Sequence, residues 1–259
     1  MPKPFIFLLL LVVVLLTGCA RNTYFVSPYN GNHSVYHPIR MQSDSLQSAW
    51  HVHAAVALGG ANDQGADEWA AFHTGVSGSH NFGAFQGFYS LNVSAGNYKI
   101  EPWGNMTKDH NRFFGGTGFE GGLNVVTSFD KSEWRILGVE TSLQYEWGDY
   151  LRYREALPHN QVDLLVKSPI YATLGGYTEL VTRTGNTIVG FRLAYGTVLG
   201  RHYKKRYLFY DNFDYDRLTY RYGNFTVHMG WGKYTGHLSA LFATRANGLQ
   251  LGMNYRLGK

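Results

Sequence analysis

From about residue 48 onward the chain alternates apolar and polar residues in run after run. A period of two suits only a β-strand whose faces meet different surroundings. The last run is the clearest: over 248–257, Leu249, Leu251, Met253, Tyr255 and Leu257 share one face, and Gln250, Gly252, Asn254 and Arg256 the other. Over 224–232, Phe225, Val227, Met229 and Trp231 oppose Thr226, His228 and Gly230. Over 236–245, Leu238, Ala240, Phe242 and Thr244 oppose His237, Ser239 and Arg245, and over 187–199, Val189, Phe191, Leu193 and Tyr195 oppose Gly190, Arg192, Ala194 and Gly196. Earlier runs cover 49–60, 68–79, 82–96, 112–128, 133–147 and 170–183. In the first of these Trp50, Val52, Ala54, Val56 and Leu58 oppose His51 and His53. In 133–147, Leu137, Val139, Thr141, Leu143 and Tyr145 oppose Glu140, Ser142 and Gln144. This pattern predicts about ten strands, with about eight or twelve also compatible.

The connections carry a second pattern. Short links fall near 79–81, 130–132, 185–186 and 233–235, and long ones near 97–111, 148–169 and 201–217. Alternation of short and long links is what an antiparallel up-and-down transmembrane β-barrel produces, with short turns on the periplasmic side and long loops outside. Composition agrees: charged residues are 16%, aromatics 16%, and glycines number 31, while mean hydropathy is only −0.24. A soluble, aromatic-rich β-sandwich is the competing reading, and the scarcity of charge weighs against it. Over 48–259 the chain looks like small outer-membrane β-barrels in general, although it ends in Lys259 rather than an aromatic residue.

The N-terminus reads separately. Met1-Pro2-Lys3-Pro4 carries one positive charge, and residues 5–16 are an unbroken apolar run of 12 residues, too short for a comfortable helical span. Leu16-Thr17-Gly18-Cys19 follows, and it resembles the lipobox of bacterial lipoproteins. The resemblance implies cleavage before Cys19, acylation of that residue, and domains at 1–18 (signal peptide), 19–47 (lipidated tether) and 48–259 (barrel). Residues 20–47 have no period and contain Pro28, Pro38 and Asn30-Gly31, as a tether does. The aspartate associated with inner-membrane retention is absent after Cys19, so the expected location is the outer membrane. An even strand count returns the C-terminus to the side where the barrel began, which is periplasmic if the lipid sits in the inner leaflet. Cys19 is the one cysteine of the chain, so an internal disulfide and a cysteine metal site are both excluded. Net charge is +5, without long basic runs, which argues against nucleic acid. The expected partners are outer-membrane lipids, through acylated Cys19 and the barrel surface, and other envelope proteins.

If the apolar faces meet lipid, the opposite faces line the lumen. That places His51, His53, His73, Glu120, Glu140, Arg192, His228, His237, Arg245 and Arg256 inside, with Gln250 and Glu179. Such residues form a polar network that fills a narrow interior, because buried charges require partners, and Arg192 is expected to contact an inward carboxylate. His51 and His53 share a face, but without a third ligand they do not make a metal site. No Asp-x-His pair of the omptin type is evident. Ser77, Ser79 and His80 have the residue types of lipid-modifying barrels but lie near a short turn. The stretch 201–222, crowded with Tyr and basic residues, reads as an interfacial belt. Gly115-Gly116-Thr117-Gly118 reads as strand rather than phosphate loop. The function expected is that of a lipid-anchored, non-catalytic barrel lipoprotein without cofactor, structural or accessory to an envelope assembly. The alternatives are a lipid-modifying barrel enzyme and a soluble ligand-binding barrel lipoprotein.

The Leu16–Cys19 motif makes a direct prediction: Cys19→Ala abolishes palmitate labelling and leaves the leader uncleaved. Labelling that survives in the mutant overturns the reading.

Overall fold

The computed structural model describes residues 24–25, 27–28, 35–44, 47–61, 67–102, 110–157, 164–199, 220–243 and 246–258. A two-residue strand β1 (Tyr24–Phe25) comes first. It is followed by β2 (Ser48–Ala61), β3 (Asp67–Phe82), β4 (Phe85–Ile100), β5 (His110–Phe129) and β6 (Ser132–Trp147). Next come a helix α1 (Asp149–Ala156), a two-residue strand β7 (Leu164–Leu165), β8 (Ile170–Thr184), β9 (Thr187–Leu199), β10 (Arg221–Trp231), β11 (Tyr234–Ala243) and β12 (Ala246–Leu257). The ten long strands form one closed antiparallel barrel in the order β10-β11-β12-β2-β3-β4-β5-β6-β8-β9. Closure joins β12 to β2, from Ala246 opposite Ala61 to Leu257 opposite Trp50. Each run of alternation in the sequence corresponds to one barrel strand, so the expected fold class holds, with ten as the strand number.

Burial follows the alternation. Leu58, Leu91, Leu123, Leu143, Leu193, Leu249 and Leu251 are each at least half exposed, on the outer surface. No soluble barrel shows water so continuous an apolar belt, because each leucine left in water forgoes roughly 1.5–3 kcal/mol of burial. Aromatics flank the belt: Trp50 meets Tyr89 edge-on, and Tyr234 lies against Trp231 and Tyr255, all near the short turns. This is the girdle of a membrane-spanning barrel.

The two mouths differ. At one, tight turns join β3 to β4, β5 to β6, β8 to β9 and β10 to β11, and Gly83, Gly185 and Gly232 hold positive φ of 71°, 60° and 59° in three of them. Only glycine adopts that conformation without strain from a Cβ. At the other mouth lie the longer connections, including α1 and β7, together with the short link from β11 to β12. The turn expected at 79–81 is a correction: β3 continues through that polar stretch to Phe82, because Ser77 and Ser79 face the lumen and Gly83 supplies the bend.

One strand breaks the period. Pairing of β6 with β8 slips between Arg135 and Gly138, where Ile136 and Leu137 both point outward. Thr178 repairs this β-bulge, donating from its hydroxyl to the Arg135 carbonyl (3.1 Å) and accepting from Trp134 Nε1 (2.9 Å). The extra residue reverses the parity of the strand.

The expected outcome for the outer face depends on depth. Leu251→Arg, at mid-strand, lowers stability in vesicles by about 2–4 kcal/mol, whereas Leu257→Arg at the mouth costs about 0–1 kcal/mol. Urea titrations of the two variants check the ranking.

Candidate functional site

Among the described residues, polar chemistry concentrates in the interior. Its first occupant is the chain's own N-terminal segment. β1 pairs in parallel with β7 at the long-loop mouth, Tyr24 opposite Leu164 and Phe25 opposite Leu165. Further on, Val35, Tyr36, His37, Ile39 and Met41 are buried inside the barrel. Gln42 and Asp44 then reach the short turns: Gln42 bonds to the Gly83 carbonyl and accepts from Ser128 Oγ (2.8 Å), and Asp44 pairs with Arg183. The stretch that reads as a tether in the sequence is therefore, in these described residues, a plug.

The plug has no strand partner of its own in the barrel, so side chains serve its backbone. Asn254 Nδ2 donates to the Tyr36 carbonyl (3.2 Å) and Arg135 Nη2 to the Ile39 carbonyl (2.7 Å). Gln86 Nε2 donates to the Arg40 carbonyl (3.1 Å), Asn81 Nδ2 to the Met41 carbonyl (3.2 Å), and the Gln42 N–H to Glu133 Oε2 (2.6 Å).

The plug's side chains join a set of buried ion pairs and hydrogen bonds. Arg135, fully buried, lies 2.7 Å from Glu179 and 3.4 Å from Glu133. Glu179 also accepts from the Tyr36 hydroxyl (2.8 Å) and sits 2.8 Å from His228, on whose ring Tyr36 stacks at 4.3 Å. His37 lies 2.9 Å from Glu120, which also accepts from Asn92 (3.0 Å) and Gln144 (3.3 Å). Arg192 pairs with Glu140 and lies over the Tyr177 ring at 3.9 Å.

Glycines opposite the histidines make room for this. His53 faces Gly75, His228 faces Gly190 and His237 faces Gly252 across their strand pairs, and a Cβ at any of the three would collide with the ring.

Above the network, the long-loop mouth is closed by an apolar cap. Phe25, Leu165, Tyr98, Ile100, Phe114 and Tyr150 are buried together with Trp69. α1 leans in. Tyr150 stacks on Tyr98 at 4.0 Å, and Tyr98 donates to Asp67 (3.0 Å). Arg154 pairs with Glu146 at 2.6 Å. Burial opposes the Arg154 charge, but that carboxylate raises its pKa above the ordinary guanidinium value, and burial pushes the Tyr150 hydroxyl well above the phenol range. Both groups keep one protonation state across physiological pH.

The cavity at mid-height is small. The cavity among Val35, His37, Glu120, Glu140, Arg192 and Tyr222 measures ≈20 Å³, about one water. At the short-turn mouth a wider recess of ≈440 Å³ lies among Arg40, Asp44, His51, Arg183, Lys233 and Arg256.

Of the residues read from sequence as luminal, His51, His53, His73, Glu120, Glu140, Arg192, His228 and His237 are buried on the inner face, as are Glu179 and Gln250, and Arg256 is half-buried at the short-turn recess. Arg245, Cys19 and 201–219 lie outside the described residues. Tyr220 and Tyr222 are a correction to the belt reading at these two positions, since both are buried, at 1% and 5% exposure. Ser77 and Ser79 are buried without His80, which instead meets Ser48 Oγ (2.8 Å) and the Tyr89 hydroxyl (3.3 Å). Among the described residues no cluster of three metal-ligating side chains exists. The sequence reading missed Arg135 and Glu133, because counting back by twos from Leu137 places them outside. It missed Tyr36 and His37 because a plug has no period.

No protein-family description matches the chain, and no curated protein matches it in sequence. Solved structures do. The β domain of the Bordetella autotransporter Brka is 11% identical, with a TM-score of 0.48, over 82% of this chain and 100% of that one. The transport unit of the autotransporter AIDA-I from Escherichia coli is 10% identical, with a TM-score of 0.41, over 84% of this chain and 93% of that one. LpxR from Salmonella typhimurium is 10% identical, with a TM-score of 0.38, over 80% of this chain and 99% of that one.

Breaking the central pairs should be severe. Arg135→Ala and Arg192→Ala each strand a buried carboxylate and are expected to destabilise by about 3–5 kcal/mol. Arg152→Ala removes an exposed pair with Asp149 and should have little effect. Urea unfolding midpoints compare the three.

Proposed function

We propose that this protein is a lipid-anchored outer-membrane barrel lipoprotein with a structural or accessory role, not an enzyme and not an open pore. The observation that carries this reading is the occupied lumen: residues 35–41 run through it, their backbone is bonded to the wall, and the cavity beside His37 measures ≈20 Å³. A pore needs a continuous water path, and a lipid-modifying enzyme needs a nucleophile and base in reach of a bilayer-facing substrate. The described charged groups at mid-lumen, Arg135, Glu179, Arg192 and Glu140, are instead paired with one another, and Arg135 and Glu179 also bond to the plug. The lipid anchor rests on the Leu16–Cys19 motif and the outer membrane on the apolar outer belt. The remaining surface, two rims and a girdle, is suited to contact with lipids and with other envelope proteins.

Planar-bilayer recordings test the closed lumen. The wild-type chain is expected to give no steady conductance, and a variant lacking residues 35–41 to conduct. Steady conductance of the wild type overturns the reading. Mass spectrometry of lipid A from cells with and without the protein tests the enzymatic alternative, and identical spectra are expected.

A further inference from the structure

The N-terminal segment runs through the barrel in one direction. Tyr24 and Phe25 pair with β7 at the long-loop mouth, where Phe25 is buried in the aromatic cap, while Asp44 is held at the short-turn mouth by Arg183. The chain therefore enters where the long connections are and leaves where β2 begins. Cys19 precedes Tyr24 by five residues. Five residues span at most about 18 Å when fully extended. The 14 residues of β2 run about 46 Å along the strand and, at a tilt of about 40°, about 35 Å along the barrel axis. Cys19 cannot return outside the wall to the short-turn mouth, and the lumen is already occupied by residues 35–41. With short turns on the periplasmic side, the long-loop mouth is the external one.

We propose that the acyl chains on Cys19 are seated in the outer leaflet, on the external side, with the N-terminal segment threaded through the barrel as a tether fixed inside it. This rests on the reading of the chain as a lipid-anchored outer-membrane protein, and it replaces the inner-leaflet anchor expected from the sequence. The thread is locked at several levels. Withdrawing it breaks the bond of Arg135 to the Ile39 carbonyl, that of Tyr36 to Glu179, the His37–Glu120 pair and the Asp44–Arg183 pair. Lipid and protein then hold the membrane at two places, the anchor outside and the belt across it.

Thiol labelling of the full chain in cells tests this. The native thiol of Cys19 is taken up by the acyl group, so introduced cysteines report alone, and gel mobility without boiling identifies folded variants. Asn22→Cys is expected to react with a membrane-impermeant maleimide in intact cells as fully as in lysed cells. Lys131→Cys, in the turn between β5 and β6, should react only after lysis. Palmitate incorporation is read in parallel. An acylated chain whose Asn22→Cys stays protected until lysis overturns the threading and leaves the lipid reading intact. Surface-reactive Asn22→Cys without palmitate overturns the lipid reading, and this proposal with it. Reaction of Lys131→Cys in intact cells reverses the orientation and also overturns it.

Discussion

A peptide segment that crosses a narrow lumen without a strand partner has no ladder for its N–H and C=O groups. In this protein the wall must supply that ladder with side chains, and much of the interior follows from that requirement. Arg135 is the centre of it. Its guanidinium offers five donors in a fixed fork, and it uses them on Glu179, on Gln86 and on the Ile39 carbonyl. Neutralising a buried cation takes a carboxylate, and holding that carboxylate takes further donors, which Tyr36 and the His228 ring provide. Charge, plug backbone and plug side chain are thus satisfied together. Each would be costly alone.

The same economy divides the barrel into layers along its axis. At the long-loop mouth the inner surface turns apolar, and Phe25, Tyr98, Tyr150 and Trp69 exclude water from the network beneath. At mid-height the ion pairs meet the plug. At the short-turn mouth Asp44 lies between Arg40 and Arg183, beside an open recess. Histidines fit into so narrow a tube because glycine stands across from His53, His228 and His237, where any larger residue would push the ring into the plug. The scarcity of charge and the excess of glycine in the composition are two sides of this arrangement: the outer face admits no charge, and the inner one must make room for large polar groups.

A filled and locked lumen limits what the molecule can do. It favours a role exercised at the surfaces, at the rims and along the girdle, over one exercised through the bore. The plug is also part of the fold, since Tyr36, His37 and Ile39 are among the residues that complete the interior.

The alternation over 48–257 by itself pointed to an antiparallel barrel of about ten strands, with eight or twelve also open, and to the lipid and lumen faces of most of them, because period two and turn chemistry are local properties. It reached the inward positions of His51, His53, Glu120, Glu140 and Arg192 by the same count. What it did not reach depended on pairing between distant segments. The bulge at Ile136–Leu137 reverses the parity of β6, and only its register against Glu179 and Tyr177 brings Arg135 inside. The course of residues 35–44 was also invisible, because their conformation is dictated by wall partners 40 to 218 positions away, such as Asn81 to Met41, Gln86 to Arg40 or Asn254 to Tyr36. Local periodicity thus fixed the wall, and tertiary structure alone decided what fills it, because a plug takes its order from the side chains around it rather than from its own sequence.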